Sequence, residues 1–171
     1  DLTTRDVTAL VERDPVVVLP LAAIEQHGPH LPLSTDLEIA HGLLDDAIAR
    51  IGAEATLSIL PAVTVGTSRE HRQFPGTLSL APELLIETVC QLGAAVAATG
   101  VRRLVLFNAH GGNAGAIDTA ALQLRDEWNL LVVKANYMTF SRPEVDLPES
   151  EWRHGLHGGA VETAMMRHLR P

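Results

Sequence analysis

Val16-Val17-Val18-Leu19-Pro20-Leu21 is an apolar run, and it is followed by Glu25-Gln26-His27-Gly28-Pro29-His30 and then by Asp36. The run is too short to cross a membrane and reads as a buried strand, the kind a parallel sheet covers on both faces. Alternate side chains of an extended segment share a face, so Glu25 and His27 point together into one cavity while Gln26 points away. Asp36 follows Thr35 where a helical pattern begins, which puts its carboxylate at a helix start beside the same cavity. A polar loop with a capping aspartate is the plainer reading. It gives no reason for Glu, two His and Asp to crowd together after one strand.

Working outward from this stretch, strand and helix patterns alternate. A short helix around Thr4 to Glu12 precedes the first strand, and a helix from about Leu37 to Arg50 follows it, with Ile39, Leu43, Leu44 and Ile48 at helical spacing. Thr56 to Val63 reads as a second strand, and Thr67 to Leu80 as a polar loop turned by Pro75-Gly76. Ser79 is placed to cap a helix from Pro82 to about Ala98, which Gly100 ends. Arg102 to Asn108 is the next strand, Asn113 to Trp128 the next helix and Leu130 to Ala135 another strand. Such alternation predicts an α/β fold, a mostly parallel central sheet with helices on both faces.

Sheets of this kind bind ligands at the carboxyl ends of their strands. Glu25 and His27 lie there, and so does Asn108-Ala109-His110-Gly111-Gly112-Asn113, directly after Leu104-Val105-Leu106-Phe107. Read alone, a histidine before two glycines is a tight strand-to-helix turn; on the same sheet edge as Glu25 and His27, His110 becomes a metal-ligand candidate. A third stretch, His157-Gly158-Gly159-Ala160-Val161-Glu162-Thr163, sets Glu162 in a first helical turn behind two glycines that allow close backbone approach. An acidic residue near a helix start is the ordinary alternative for Glu162.

The 171 residues suit one domain, and an apolar share of 46% supports a folded core. The formal charge of -8, with 21 acids against 13 bases and no Lys/Arg block, argues against a nucleic-acid or anionic-membrane partner and for a small or neutral substrate. The single cysteine, Cys90, excludes an internal disulfide and a cysteine-rich zinc site. With no amino-terminal signal pattern visible, a cytoplasmic address is expected. The abrupt ends at Asp1 and Pro171 fit a trimmed natural protein.

Together, Glu25-Gln26-His27-Gly28-Pro29-His30-Leu31-Pro32 with Thr35-Asp36, Phe74-Pro75-Gly76-Thr77, Asn108-Ala109-His110-Gly111-Gly112-Asn113, and His157-Gly158-Gly159 with Glu162-Thr163 resemble the creatininase (creatinine amidohydrolase) family over nearly the whole chain. The resemblance implies a three-layer α/β/α sandwich, two divalent metals, zinc first with manganese or iron as alternatives, a homo-oligomer, and hydrolysis of an amide C–N bond in a small cyclic amide, formamide or related molecule. It further implies Glu25 and His110 on one metal, His27 on the other, Asp36 bridging, and His157 as a catalytic group that contacts substrate. Where creatininase proper has a Tyr-Glu pair after the second histidine, this chain has Gly111-Gly112, which removes a glutamate ligand and a substrate-contacting tyrosine and argues against creatinine as substrate. Glu162 is the carboxylate expected to compensate. Ala160 stands where relatives often carry Glu or His.

Residue chemistry agrees with this set. Glu25, Asp36 and Glu162 with neutral His27 and His110 form the mixed oxygen and nitrogen donors that zinc, manganese or iron accept. Two divalent ions against three carboxylates leave one positive charge, which a bridging hydroxide would neutralise, and water ionising near neutral pH is the nucleophile such sites generate. Ser68, His71 and Gly111 are expected to contact substrate. His30 reads as a packing residue rather than a ligand, and His41, His154 and His168 as surface or packing groups. Two other functions remain open: a peptidase trimming a modified peptide precursor, and a non-catalytic domain holding an anion at its glycine-rich helix starts.

Overall fold

In the computed structural model, which describes residues 2–52, 55–140 and 146–171, the predicted alternation forms a four-stranded parallel sheet with helices on both faces. The elements run α1 (Thr4–Val11), β1 (Val16–Leu21), α2 (Thr35–Ile51), β2 (Leu57–Ile59), α3 (Pro82–Ala98), β3 (Arg103–Asn108), α4 (Ala114–Trp128), β4 (Leu131–Asn136), α5 (Glu149–His154) and α6 (Ala160–Leu169). Strand order is β2-β1-β3-β4, with every neighbouring pair parallel.

The pleat sorts the strand residues between two cores, as a period of two requires. Val17, Leu19 and Leu21 of β1 and Leu104 and Leu106 of β3 pack with Leu85, Val89, Ile117 and Leu124 of α3 and α4. Val18 and Phe107 face the other way, against Ala40 and Leu44 of α2. Helix α6 lies against α2, completing that outer layer. The register sets Leu21 beside Asn108 and Asn108 beside Asn136, so β1, β3 and β4 finish level along one edge.

Two local expectations are corrected. The second strand is shorter than Thr56 to Val63, because Pro61 has no N–H to give to a ladder; Val63 rejoins the edge by donating to Pro20 O at 2.9 Å. Ser79 does not cap α3. That helix begins after Ala81 with Pro82 in its first turn and no side-chain cap, while Ser79 Oγ accepts the Ser68 N–H at 2.9 Å and ties down the Thr67 to Leu80 loop. Helix α5 lies outside the sequence-based expectations. Among the described residues no helix is long and apolar enough to cross a membrane.

Leu106 is fully buried in the core away from the strand-end loops. Leu106→Ala is expected to cost about 2–5 kcal/mol of stability through lost burial and a residual cavity, measured as a shifted urea midpoint with an unchanged slope.

Candidate metal centre

Glu25, His27, Asp36, His110 and Glu162 reach one cavity at the carboxyl edge of the sheet, although they come from three separate stretches of chain, and all five are buried. Asp36, in the first turn of α2, is the hub: its Oδ1 lies 3.1 Å from His27 Nε2 and its Oδ2 3.0 Å from His110 Nδ1. Glu25 Oε1 stands 3.2 Å from His110 Nδ1 and 4.0 Å from His27 Nε2. Glu162 Oε2 lies on the His27 side, 3.8 Å from His27 Nε2. The carboxylate expected to make up for Gly112 is thus set beside His27.

Each imidazole is turned to present one nitrogen. His27 Nδ1 is 3.1 Å from the Glu25 carbonyl oxygen, and His110 Nε2 is 2.9 Å from Thr67 O and 3.3 Å from Ser68 Oγ. A ring nitrogen that donates to a backbone oxygen leaves the opposite nitrogen free toward the carboxylates, the arrangement that orients histidine ligands. Glu25 Oε2 and Asp36 Oδ2 are buried with no hydrogen-bond partner; the 3.0 Å approach of His110 Nδ1 to Asp36 Oδ2 lacks hydrogen-bond geometry. Orphaned carboxylate oxygens facing oriented imidazoles are costly unless a cation is to be bound. Glu25, His27 and Asp36 together offer one ligand atom each within 4.8 Å of one another, and so do His27, His157 and Glu162. The residues present therefore fit divalent ions.

A family model described as creatinine amidohydrolase matches residues 1–171. The chain belongs to the creatininase family. It is 37% identical over 168 residues to the mycofactocin precursor peptide peptidase of Mycobacterium tuberculosis, covering 95% of this chain and 61% of that protein. It is 31% identical over 188 residues to the creatinine amidohydrolase of Pseudomonas putida, covering all of this chain and 71% of that protein. The chain thus spans 61% of the length of the mycobacterial peptidase. Among solved structures, a manganese creatininase superimposes with a TM-score of 0.83 at 30% identity, covering 100% of this chain and 72% of that one. A mutant creatininase of Zn-Zn type gives 0.80 at 31%, covering 100% and 71%.

In this creatininase-family chain the loops are held by a side-chain amide network. Asn113 Oδ1 accepts the Thr67 N–H at 2.9 Å, while its Nδ2 donates to Ala22 O and Asn108 Oδ1, both at 3.2 Å. Asn108 Nδ2 donates to His110 O at 2.7 Å and to Asn136 Oδ1 at 2.8 Å. Glu162 is fixed by the Gly158 N–H, which donates to Oε2 at 2.6 Å, and by Tyr137 OH, which donates to Oε1 at 3.3 Å. Gly158 has φ +64° and stands against the His27 backbone, a position where a side chain would be strained.

The remaining candidates divide. His157 is half-buried, its Nδ1 3.4 Å from Glu25 Oε1 and its Nε2 2.6 Å from Gln26 O. His71 stacks on it with ring centres 4.2 Å apart. Gln26 Nε2 reaches both rings, 3.1 Å from His71 Nδ1 and 2.9 Å from His157 Nε2. Strand alternation turned Gln26 away from the cavity, but its amide reaches the two rim imidazoles because the chain bends after Leu21; Tyr137 was not selected, its sequence signal being its position just past the end of β4. Ser68 is fully buried against His110, whereas Gly111 faces open space. His30 lies outside the cluster, 2.9 Å from Thr163 Oγ1.

Burial disfavours a charged His110, yet the Asp36 and Glu25 carboxylates close to its Nδ1 outweigh that and push it up from 6.5 to about 10. For Glu25 and Asp36 burial works upward, but the adjacent His110 imidazole leads the effects that leave both below their ordinary values. Glu162 is raised, chiefly by burial. With metal removed, the raised His110 contributes stability fully below 6.5 and loses it as pH rises through about 10; the lowered carboxylates contribute above their ordinary 4.5 and 3.8 and lose it as pH falls. Urea unfolding of the chelated chain is expected to show a falling midpoint between pH 6.5 and about 10. A flat alkaline profile would contradict the buried ion pair.

Proposed function

We propose that this chain is the core of a metal-dependent amide hydrolase that holds two divalent ions and cleaves a peptide C–N bond. The observation that carries the proposal is Asp36, whose two oxygens each face a different imidazole at 3.1 and 3.0 Å, as a bridging carboxylate must. Glu25 and His110 would complete one position, and His27 with Glu162 the other. Ions held there supply Lewis-acid polarisation of the scissile carbonyl and a water of lowered pKa. The manganese and Zn-Zn creatininases of like fold support divalent ions.

The protein groups then have separable tasks. Thr67 O and Glu25 O fix the faces of His110 and His27, and Tyr137 OH with the Gly158 N–H hold Glu162. His157 is at the rim of the cavity, next to Glu25, where its Nδ1 can deliver a proton to a departing amide nitrogen. Gln26 and the stacked His71 hold that imidazole in place. Such proton transfer contributes on the order of 10²–10⁴-fold.

The likeness to a peptide peptidase, 37% against 31% for the creatinine amidohydrolase, favours a modified peptide as substrate. A small cyclic amide is the second reading, favoured by the second of those relatives. Turnover of metal-loaded protein on short peptides and on creatinine decides between them, and creatinine outpacing every peptide would reverse the order.

Asp36→Ala is expected to lose most metal at both positions and His27→Ala to keep one, read by metal analysis after gel filtration; full occupancy in Asp36→Ala would remove the bridge. His157→Asn is expected to keep its metal while kcat falls by about 10²-fold and KM changes less, because Asn hydrogen-bonds but does not shuttle protons near neutral pH. Wild-type kcat in that variant would reduce His157 to a scaffold.

A further inference from the structure

The loop that carries Ser68 and His71 also brings a fourth carboxylate to the centre, on the His110 side. Glu70 lies in the short 3-10 turn Arg69–His71. Glu70, Glu25 and His110 each offer one ligand atom, and these atoms all lie within 4.8 Å of one another. Ligands at about 2.0–2.2 Å from one ion stand at most roughly 4.4 Å apart, so a small movement of one exposed side chain brings the three into range.

The backbone opposite makes room for this carboxylate. A Cβ on Gly112 would lie 2.3 Å from Thr67 O, 2.5 Å from His110 Nε2 and 3.0 Å from Glu70 Oε1. The empty side of Gly112 is therefore the space beside which the Glu70 carboxylate sits. Independently, Glu25 is 1% exposed, and its Oε2 has no hydrogen-bond partner. Among the described residues Glu70 forms no ion pair with Arg or Lys, so the basic group gathered with the Glu25 and Glu70 carboxylates is the His110 imidazole. A divalent cation bound among these three groups uses the orphaned Glu25 oxygen.

We infer that Glu70 is a ligand of the ion held by Glu25 and His110, an inference that rests on the two-metal reading above. The same turn places His71 against His157. Filling this position therefore also sets the loop that supports the proton-delivering imidazole.

The test is a Co2+ titration of the metal-free chain, followed by visible absorption and by competition with a chelator. It compares wild type, Glu70→Gln, Glu70→Ala and, as a control, the exposed Glu83→Gln. One of the two Co2+ dissociation constants is expected to rise at least tenfold in both Glu70 variants, with the other within twofold, on the scale by which even indirect partners of metal ligands act. The control should match wild type, and the thermal midpoint of the metal-free Glu70 variants should stay put because Glu70 is exposed. Both constants within twofold of wild type in Glu70→Gln would overturn this inference and leave the two-metal reading standing. A wild-type chain that takes up no Co2+ would overturn both.

Discussion

Asp36 is a carboxylate with 2% of its surface exposed, and the arrangement around it follows from the cost of burying that charge. An isolated buried carboxylate is unfavourable by several kcal/mol unless it is paired, so the fold must deliver partners from more than one direction. The first turn of α2 supplies the position, with the helix amino terminus favouring negative charge there. The exit of β1 supplies His27, and the exit of β3 supplies His110. Had the strands ended out of step, the two imidazoles would not meet on one carboxylate; the parallel register, with Leu21 level with Asn108, removes that risk.

Rigidity at the centre comes from amides rather than from the charged groups. Asn113 and Asn108 between them tie Ala22, Thr67 and His110, from three different connections, and Asn136 at the end of β4. These are buried hydrogen bonds with both partners satisfied, so they hold geometry at little electrostatic risk. The carboxylates and imidazoles can then carry unsatisfied oxygens toward the cavity without the loops collapsing over them.

Much of this was legible in the sequence because it depended on local period and on strand ends. The run Val16 to Leu21 announced a doubly covered strand, and alternation past its end put Glu25 and His27 on one side. His110 followed from the rule that ligands gather at carboxyl edges, since Asn108 closes β3. The side of the cavity that a residue occupies was not legible. Glu162 could be placed in a helix start but not beside His27, because that depends on how α6 packs on α2. The Thr67 to Leu80 loop has no period, so nothing local revealed that Ser79 would anchor Ser68 or that Glu70 would approach His110. Tyr137 was hidden for a similar reason: its partner, Glu162, comes from a separate, later element. The shortening of β2 is written in the sequence at Pro61, which has no N–H to give to the ladder.

The level finish of β1, β3 and β4 has an evolutionary corollary. Leu21, Asn108 and Asn136 form one rung, and the side chains nearest the chemistry hang from connections that begin just past it. Those connections can lengthen, shorten or change composition while the ladder beneath keeps its spacing, because the paired residues from Val16 to Leu21, Arg103 to Asn108 and Leu131 to Asn136 lie within the strands themselves. Descendants of one ancestral sheet could in this way retain the sheet as a floor and exchange the walls above it. Chains of about one-third identity would then share a floor while differing in the molecules they admit.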